Sequence, residues 1–209
     1  MTRAGTAWPG RPERWGAWGA LRGPPCDELI DIAELADDLR RVTVEVTDAD
    51  ELLGSGLLWP PGHVVTNAHV VRRSEVTLRL SDGRCLRARV RARDADADLA
   101  LLSAPGTGVP AATLAEPDTV RVGSFVVAVG HPLGVRGALS TGIICAIGPI
   151  DRGGRPWIRA DLHLAPGNSG GPLADAGGRI VGLNSRAAGP LALAVPMEQV
   201  ARFVRASRV

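Results

Sequence analysis

"APGNSGGPLAD", residues 165–175, surrounds one serine with glycine and proline and has little bulk with which to anchor a core. Within it, Gly167-Asn168-Ser169-Gly170-Gly171 satisfies G-x-S-x-G, a pattern that exposes a nucleophile on a tight turn in many hydrolases. Taken alone, the pattern also fits a β-turn in which glycine supplies positive φ and the serine is incidental. The decision lies with the partners of the hydroxyl. Serine becomes a useful nucleophile only beside a base, and the base needs an orienting acid.

The sequence holds four histidines, His63, His69, His131 and His163, and none follows Ser169. That excludes the Ser, acid, His order of an α/β-hydrolase and leaves the His, Asp, Ser order of double-barrel serine proteases. His69, at the end of the apolar run "VVTNAHVV", is the preferred base, while His63 belongs to the preceding turn. His131 in "VGHPLGVRG" and His163 in "ADLHLAPGNS" are alternative bases that lie too near Ser169 or its loop to leave room for an acid between them. "RDADADLALL" offers Asp94, Asp96 and Asp98. The orienting carboxylate must be buried against the imidazole, so Asp98, next to the apolar run, is favoured, and the other two read as solvated turn residues.

A chain of 209 residues, 45% of them hydrophobic, can bury roughly 70% of the surface its unfolded form exposes, so a full core is available. The formal charge of +2 argues for no polyanion, and no nucleic-acid partner is expected. Cys26, Cys85 and Cys145 are an odd count at wide spacing, matching neither a disulfide framework nor a metal site. They read as reduced thiols in or near the core, and no metal or cofactor is expected. No apolar run reaches the length of a membrane span, and the first 23 residues contain no leader-type apolar stretch or cleavage pattern. A cytoplasmic location is the default expectation.

Residues 1–26, rich in Gly, Pro, Arg and Trp, form an extension without a core of its own. From Asp27 to Arg40, Leu29, Ile32, Ala33, Ala36 and Leu39 recur at helical spacing, with acids first and Arg40 and Arg41 last. The period then changes from 3.6 to 2. Short strands are expected at 42–46, 56–59, 63–67, 76–80, 86–93 and 98–102, and again at 124–130, 138–148, 156–161, 170–175, 179–184 and 191–196. "LRARVRAR" (86–93) alternates apolar residues with Arg87, Arg89, Arg91 and Arg93, an edge or hairpin strand whose arginines form a solvated face. Many short strands joined by tight turns argue for an all-β fold, and two sets argue for two barrels. Met197, Val200, Phe203 and Val204 then share one face of a C-terminal helix behind Pro196.

Six ordered blocks, "GSGLLWPPGHVVTNAHVV", "RDADADLALL", "VVAVGHPLG", "STGIICAIG", "RADLHLAPGNSGGPL" and "GLNS" with "GPLALAVP", resemble the protease domain of the HtrA/Deg family of trypsin-like serine peptidases. The resemblance implies an all-β fold of two six-stranded antiparallel barrels with a short N-terminal helix and a C-terminal helix. A protease domain over 27–209 is implied, with barrels at about 41–103 and 120–196 and the helix at 197–207. It carries the catalytic roles to His69, Asp98 and Ser169. The oxyanion hole falls to the backbone N–H groups of Gly167 and Ser169, with the turn at Asn168 between them, which explains the small residues around the serine. Leu164, Ala187 and Ala188 would line the S1 pocket. None is acidic, so small aliphatic P1 residues, extending to Leu or Met, are expected.

Such a protein would be a serine endopeptidase acting on unfolded or damaged polypeptides. Family trimers assemble through N-terminal aromatics, here Trp8, Trp15 and Trp18. The sequence departs from the family in having His131 where Asn is frequent, His163 where a small residue is frequent, and no PDZ domain before it stops at Val209. Two other readings are a catalytically silent binding module on the same fold and an assembly protein whose Trp-rich arm matters more than its cleft.

Overall fold

The computed structural model describes residues 30–49, 51–108 and 112–207. The N-terminal extension, its three tryptophans and Cys26 lie outside them.

Helix α1 spans Ile32–Val42 and is capped by Asp31, whose carboxylate accepts from the backbone N–H groups of Ala33 and Glu34 at 2.9 and 3.1 Å. It begins later than the helical pattern suggests, and its buried face is Leu35, Ala36 and Leu39. Ile32, expected on that face, is 42% exposed because the i, i+4 pair Leu35 and Leu39 sets the rotation of the helix.

Barrel one closes in the order β1-β2-β3-β6-β5-β4, from β1 (Thr43–Asp48), β2 (Glu51–Trp59), β3 (His63–Thr66), β4 (Glu75–Arg79), β5 (Cys85–Asp94) and β6 (Leu99–Ser103). Barrel two closes in the order β10-β11-β12-β9-β8-β7, from β7 (Phe125–Gly130), β8 (Ala138–Pro149), β9 (Pro156–Asp161), β10 (Pro172–Asp175), β11 (Ile180–Ala188) and β12 (Leu191–Pro196). Helix α2 (Met197–Ala206) follows directly. Every strand pairing is antiparallel, and closure removes the free edges that aggregate in open sheets. The arginine-rich β5 is accordingly a hairpin strand flanked by β4 and β6, with Arg89 bonded to Glu75 at 2.7 Å.

Neighbouring residues on three strands serve two different cores. Val64, Leu102 and Val126 point into their own barrels, whereas Val65, Leu101 and Val127 face the layer between barrels, which also receives Leu39 from α1 and Val200 from α2. Burial on both faces explains why "HVVT", "LALLS" and "FVVAV" are nearly continuous apolar runs. Each fully buried Leu or Val here contributes about 1.5–3 kcal/mol relative to exposure.

The cysteine expectation needs correction. Cys85 and Cys145 are free thiols, but both are exposed. Cys145 falls on the outward positions of β8, in step with exposed Thr141, Ile143 and Ile147, and is also the extra residue of a bulge, since Ile144 pairs with Ala160 and Ala146 with Arg159.

Candidate active site

His69 follows β3 and Asp98 sits in the turn between β5 and β6, so both come from barrel one, while Ser169 comes from the barrel-two loop between β9 and β10. His69 Nδ1 lies 2.9 Å from each carboxylate oxygen of Asp98, and the His69 backbone N–H donates to Oδ1 at 3.1 Å. Ser185 Oγ donates to Oδ2 at 2.6 Å. Asn67 Nδ2 holds the Asp98 carbonyl at 3.0 Å, and Asp98 itself has φ +54°, a left-handed conformation that aspartate tolerates better than most residues. Burial would raise the Asp98 carboxyl, but hydrogen bonds from His69 and Ser185 outweigh it and hold it below the ordinary value. The imidazole is half exposed, with a charged acceptor fixed on its Nδ1 side.

Asp94, read as a solvated turn residue, ends β5 and has a structural role. Its Oδ1 accepts from the Ala97 N–H at 2.8 Å and shapes the turn that presents Asp98. Ser185 carries no sequence signal beyond its place in "GLNS". It is the extra residue of a β11–β12 bulge, because Asn184 pairs with Ala194 and Arg186 with Leu193. The bulge frees the Ser185 carbonyl from the ladder, and that carbonyl accepts from Ser169 Oγ at 2.6 Å. The described hydrogen bonds include none between Ser169 and His69.

The loop before Ser169 is a β-turn. The Asn168 N–H donates to the Ala165 carbonyl at 3.0 Å, with Pro166 and Gly167 at the corners and Gly167 at φ +106°. Proline first and a positive-φ glycine second define type II. Among the described residues, neither the Gly167 nor the Ser169 N–H has an acceptor. The rest of the loop is tied to both barrels: the Ser55 N–H on β2 donates to the Ser169 carbonyl at 2.7 Å, and the Gly170 N–H donates to the Asn184 carbonyl at 2.8 Å. Gly170 has φ +87°, and a Cβ there would collide with the Ser55 carbonyl and the Thr66 hydroxyl. Gly170→Ala is therefore expected to lower stability by about 3 kcal/mol. Urea denaturation checks this, and an unchanged midpoint would contradict it.

Of the other expected residues, Leu164 is half buried against the barrel-two core. Ala187 and Ala188 are exposed on the β11–β12 hairpin, paired with Ala192 and Leu191. His163 is exposed next to buried Leu162. His131, an alternative base by sequence, is buried with its Nδ1 2.9 Å from Ser55 Oγ.

Residues 54–183 match the model of the trypsin-like peptidase domain. The chain belongs to that family. It is 41% identical over 157 residues to a "Probable periplasmic serine endoprotease DegP-like" of Ectopseudomonas mendocina (strain ymp), covering 70% of this chain and 33% of that one. A protein of the same name in Pseudomonas savastanoi pv. phaseolicola (strain 1448A / Race 6) is 40% identical over 139 residues, covering 64% and 29%. The chain thus spans about a third of the length of these curated relatives. Among solved structures, "HtrA-type protease AlgW with decapeptide" superposes with a TM-score of 0.78 at 25% identity, covering 85% of this chain and 67% of that one. "HtrA-type protease AlgW with tripeptide" gives 0.75 at 29% identity, covering 83% and 62%. The HtrA/Deg resemblance and the double-barrel fold agree with these matches. The cytoplasmic expectation does not: the relatives are named periplasmic, which points to export. That expectation rested on the lack of a leader-type stretch, and an absence of that kind carries no weight against the relatives. No described helix is long and apolar enough to cross a membrane.

Proposed function

We propose that the chain is a serine endopeptidase that cleaves unfolded or damaged polypeptides through an acyl-enzyme. The single observation that carries this reading is the Asp98–His69 pair, carboxylate fixed on Nδ1, joined through Ser185 to a serine whose turn leaves two N–H groups without an acceptor among the described residues. Ser169 Oγ leaves the Ser185 carbonyl, gives its proton to His69 Nε2 and attacks the scissile carbonyl carbon. The Gly167 and Ser169 N–H groups receive the oxyanion. Collapse breaks the C–N bond, the amine departs with the proton from His69, and an ester remains on Ser169. Water, deprotonated by His69, then hydrolyses that ester. Asp98 keeps the His69 proton on Nδ1 and stabilises the imidazolium without taking a proton itself.

For specificity, Leu164 and the two alanines give an apolar S1 lining with no carboxylate to pair a basic P1 side chain, whose burial would be unfavourable. Digestion of an unfolded protein followed by mapping of the cut sites is expected to show P1 Val and Ala, extending to Leu and Met. The preference should be graded, since each extra buried methylene contributes only about 0.8 kcal/mol. Ala188→Leu should sharpen the profile toward Val and Ala. A profile dominated by Arg, Lys, Asp or Glu at P1 would refute the apolar pocket.

The Ser169–Ser185 bond favours a second reading, a silent binding module, because the hydroxyl donates to the Ser185 carbonyl and, among the described hydrogen bonds, not to His69. A fluorophosphonate probe separates the two: labelling of wild type but not of Ser169→Ala supports the enzyme. Assembly as a homotrimer through Trp8, Trp15 and Trp18 is part of the same proposal, since aromatics are favoured interface anchors. Its check is the solution mass at micromolar concentration, where a monomer would sink it.

A further inference from the structure

The direction of the Gly167 N–H depends on a peptide plane that could point either way. Types I and II differ by a flip of the central peptide, here Pro166–Gly167, and the flip reverses that N–H. Two successive carbonyls of the turn are held from outside. The Leu133 N–H donates to the Pro166 carbonyl at 2.9 Å, which keeps the opposite end of the same peptide pointed away. The Gly167 carbonyl accepts from Ser55 Oγ at 2.7 Å and, more weakly, from the His131 N–H at 3.3 Å.

Ser55 Oγ is fully used. It donates its one proton to Gly167 and receives the His131 backbone N–H at 3.1 Å. His131 Nδ1 stands 2.9 Å away. With the hydroxyl proton committed, only an Nδ1–H can complete that contact. Both side chains are buried, and burial lowers the His131 pKa, so the ring is neutral and its single proton has one place to go. Ser55 lies on β2 of barrel one, whereas His131 and Gly167 belong to barrel two.

We propose that Ser55 and His131 are positioning residues for the oxyanion turn: Nδ1-protonated His131 fixes the Ser55 hydroxyl on the Gly167 carbonyl and so holds the Gly167–Asn168 peptide, which together with the Leu133 bond on the Pro166 carbonyl sets the turn that presents the Gly167 N–H. This rests on the acyl-transfer reading above and adds the two residues that hold the hole in shape. Removing the hydroxyl leaves the Gly167 carbonyl on one long bond and a buried Nδ1–H without an acceptor.

The test compares wild type, Ser55→Ala, His131→Leu, His131→Asn and the double variant Ser55→Ala/His131→Leu, using a peptide cut once by the wild type. Ser55→Ala and His131→Leu should each lower kcat about ten- to hundredfold with KM changed less than about threefold, short of the hundred- to thousandfold cost of losing an oxyanion donor outright. The double variant should be no slower than the worse single, because the two act as one unit. His131→Asn, whose amide N–H can replace Nδ1–H, should recover most of the activity lost in His131→Leu. Unchanged kcat in Ser55→Ala, a loss carried by KM, or failure of asparagine to rescue overturns the proposal. If Ser55→Ala does not fold, the His131→Asn and His131→Leu pair decides alone. Nitrogen-15 NMR of the wild-type His131 ring provides a readout independent of turnover: an Nδ1–H resonance is expected, and an Nε2–H tautomer overturns the proposal. A wild type that cleaves nothing defeats the endopeptidase reading, and the NMR result still decides the hydrogen-bond chain.

Discussion

Ser169→Ala is expected to lower kcat on an unfolded polypeptide by about 10⁶-fold, with a thermal midpoint close to wild type. The methyl group loses one hydrogen bond, to the Ser185 carbonyl, and no apolar packing, so the stability cost should stay near 1 kcal/mol. His69→Ala should lose a similar factor, and the double variant should be scarcely worse than either, since nucleophile and base act as a unit. Single-turnover cleavage by the purified variants, beside circular dichroism melts, checks both parts. Residual activity above about one part in a thousand in His69→Ala would remove that residue from the role of base.

Asp98→Asn carries the second largest effect, about 10⁴-fold in kcat, through a proton placed on the wrong nitrogen. In the wild type Oδ1 accepts from the His69 backbone N–H and Oδ2 from the Ser185 hydroxyl, and Nδ1 stands 2.9 Å from both, so in either orientation of the asparagine amide its NH₂ faces His69 Nδ1. Nδ1 must then accept, the His69 proton moves to Nε2, and the base can no longer take a proton from Ser169. The substitution also tests the depressed Asp98 pKa. A carboxyl whose folded pKa lies below its unfolded value contributes stability that is present above the unfolded value, near 3.8, and lost as the pH falls through the folded one. Wild type should therefore lose this increment on acidification, and Asp98→Asn should not. Rates at neutral pH and urea midpoints from neutral pH down to about pH 3 read the two effects separately. A kcat within tenfold of wild type would contradict the orienting role.

Strands were legible because their signal is local. The alternation in "LRARVRAR" and the apolar runs ended by Gly, Pro and Asp each lie within a few residues, and every expected strand overlaps an observed one. The rotation of α1 was less legible, since Ile32 and Leu35 are both plausible inward residues until the barrels say which direction is inward. The exposure of Cys145 depended on which face of β8 is outward, and a stretch with Ile143, Ile144 and Ile147 is apolar on both faces, so the sequence does not say which.

The same division runs through the site. The sequence by itself determined the order His, Asp, Ser, the placement of His69 and Asp98 beside apolar strands, and the need for small residues around Ser169, because these follow from residue type and short-range backbone sterics. Only the tertiary structure decided that the unpaired residue of the β11–β12 bulge would be Ser185, bonded to Asp98 and Ser169 together. It also decided that His131 would lie behind the turn before Ser169, on Ser55, 76 positions away. Contacts at such separations exist only once two closed barrels meet, and what makes them is the burial of a shared apolar layer, which is non-directional and leaves in the sequence no mark of which polar groups it will bring together.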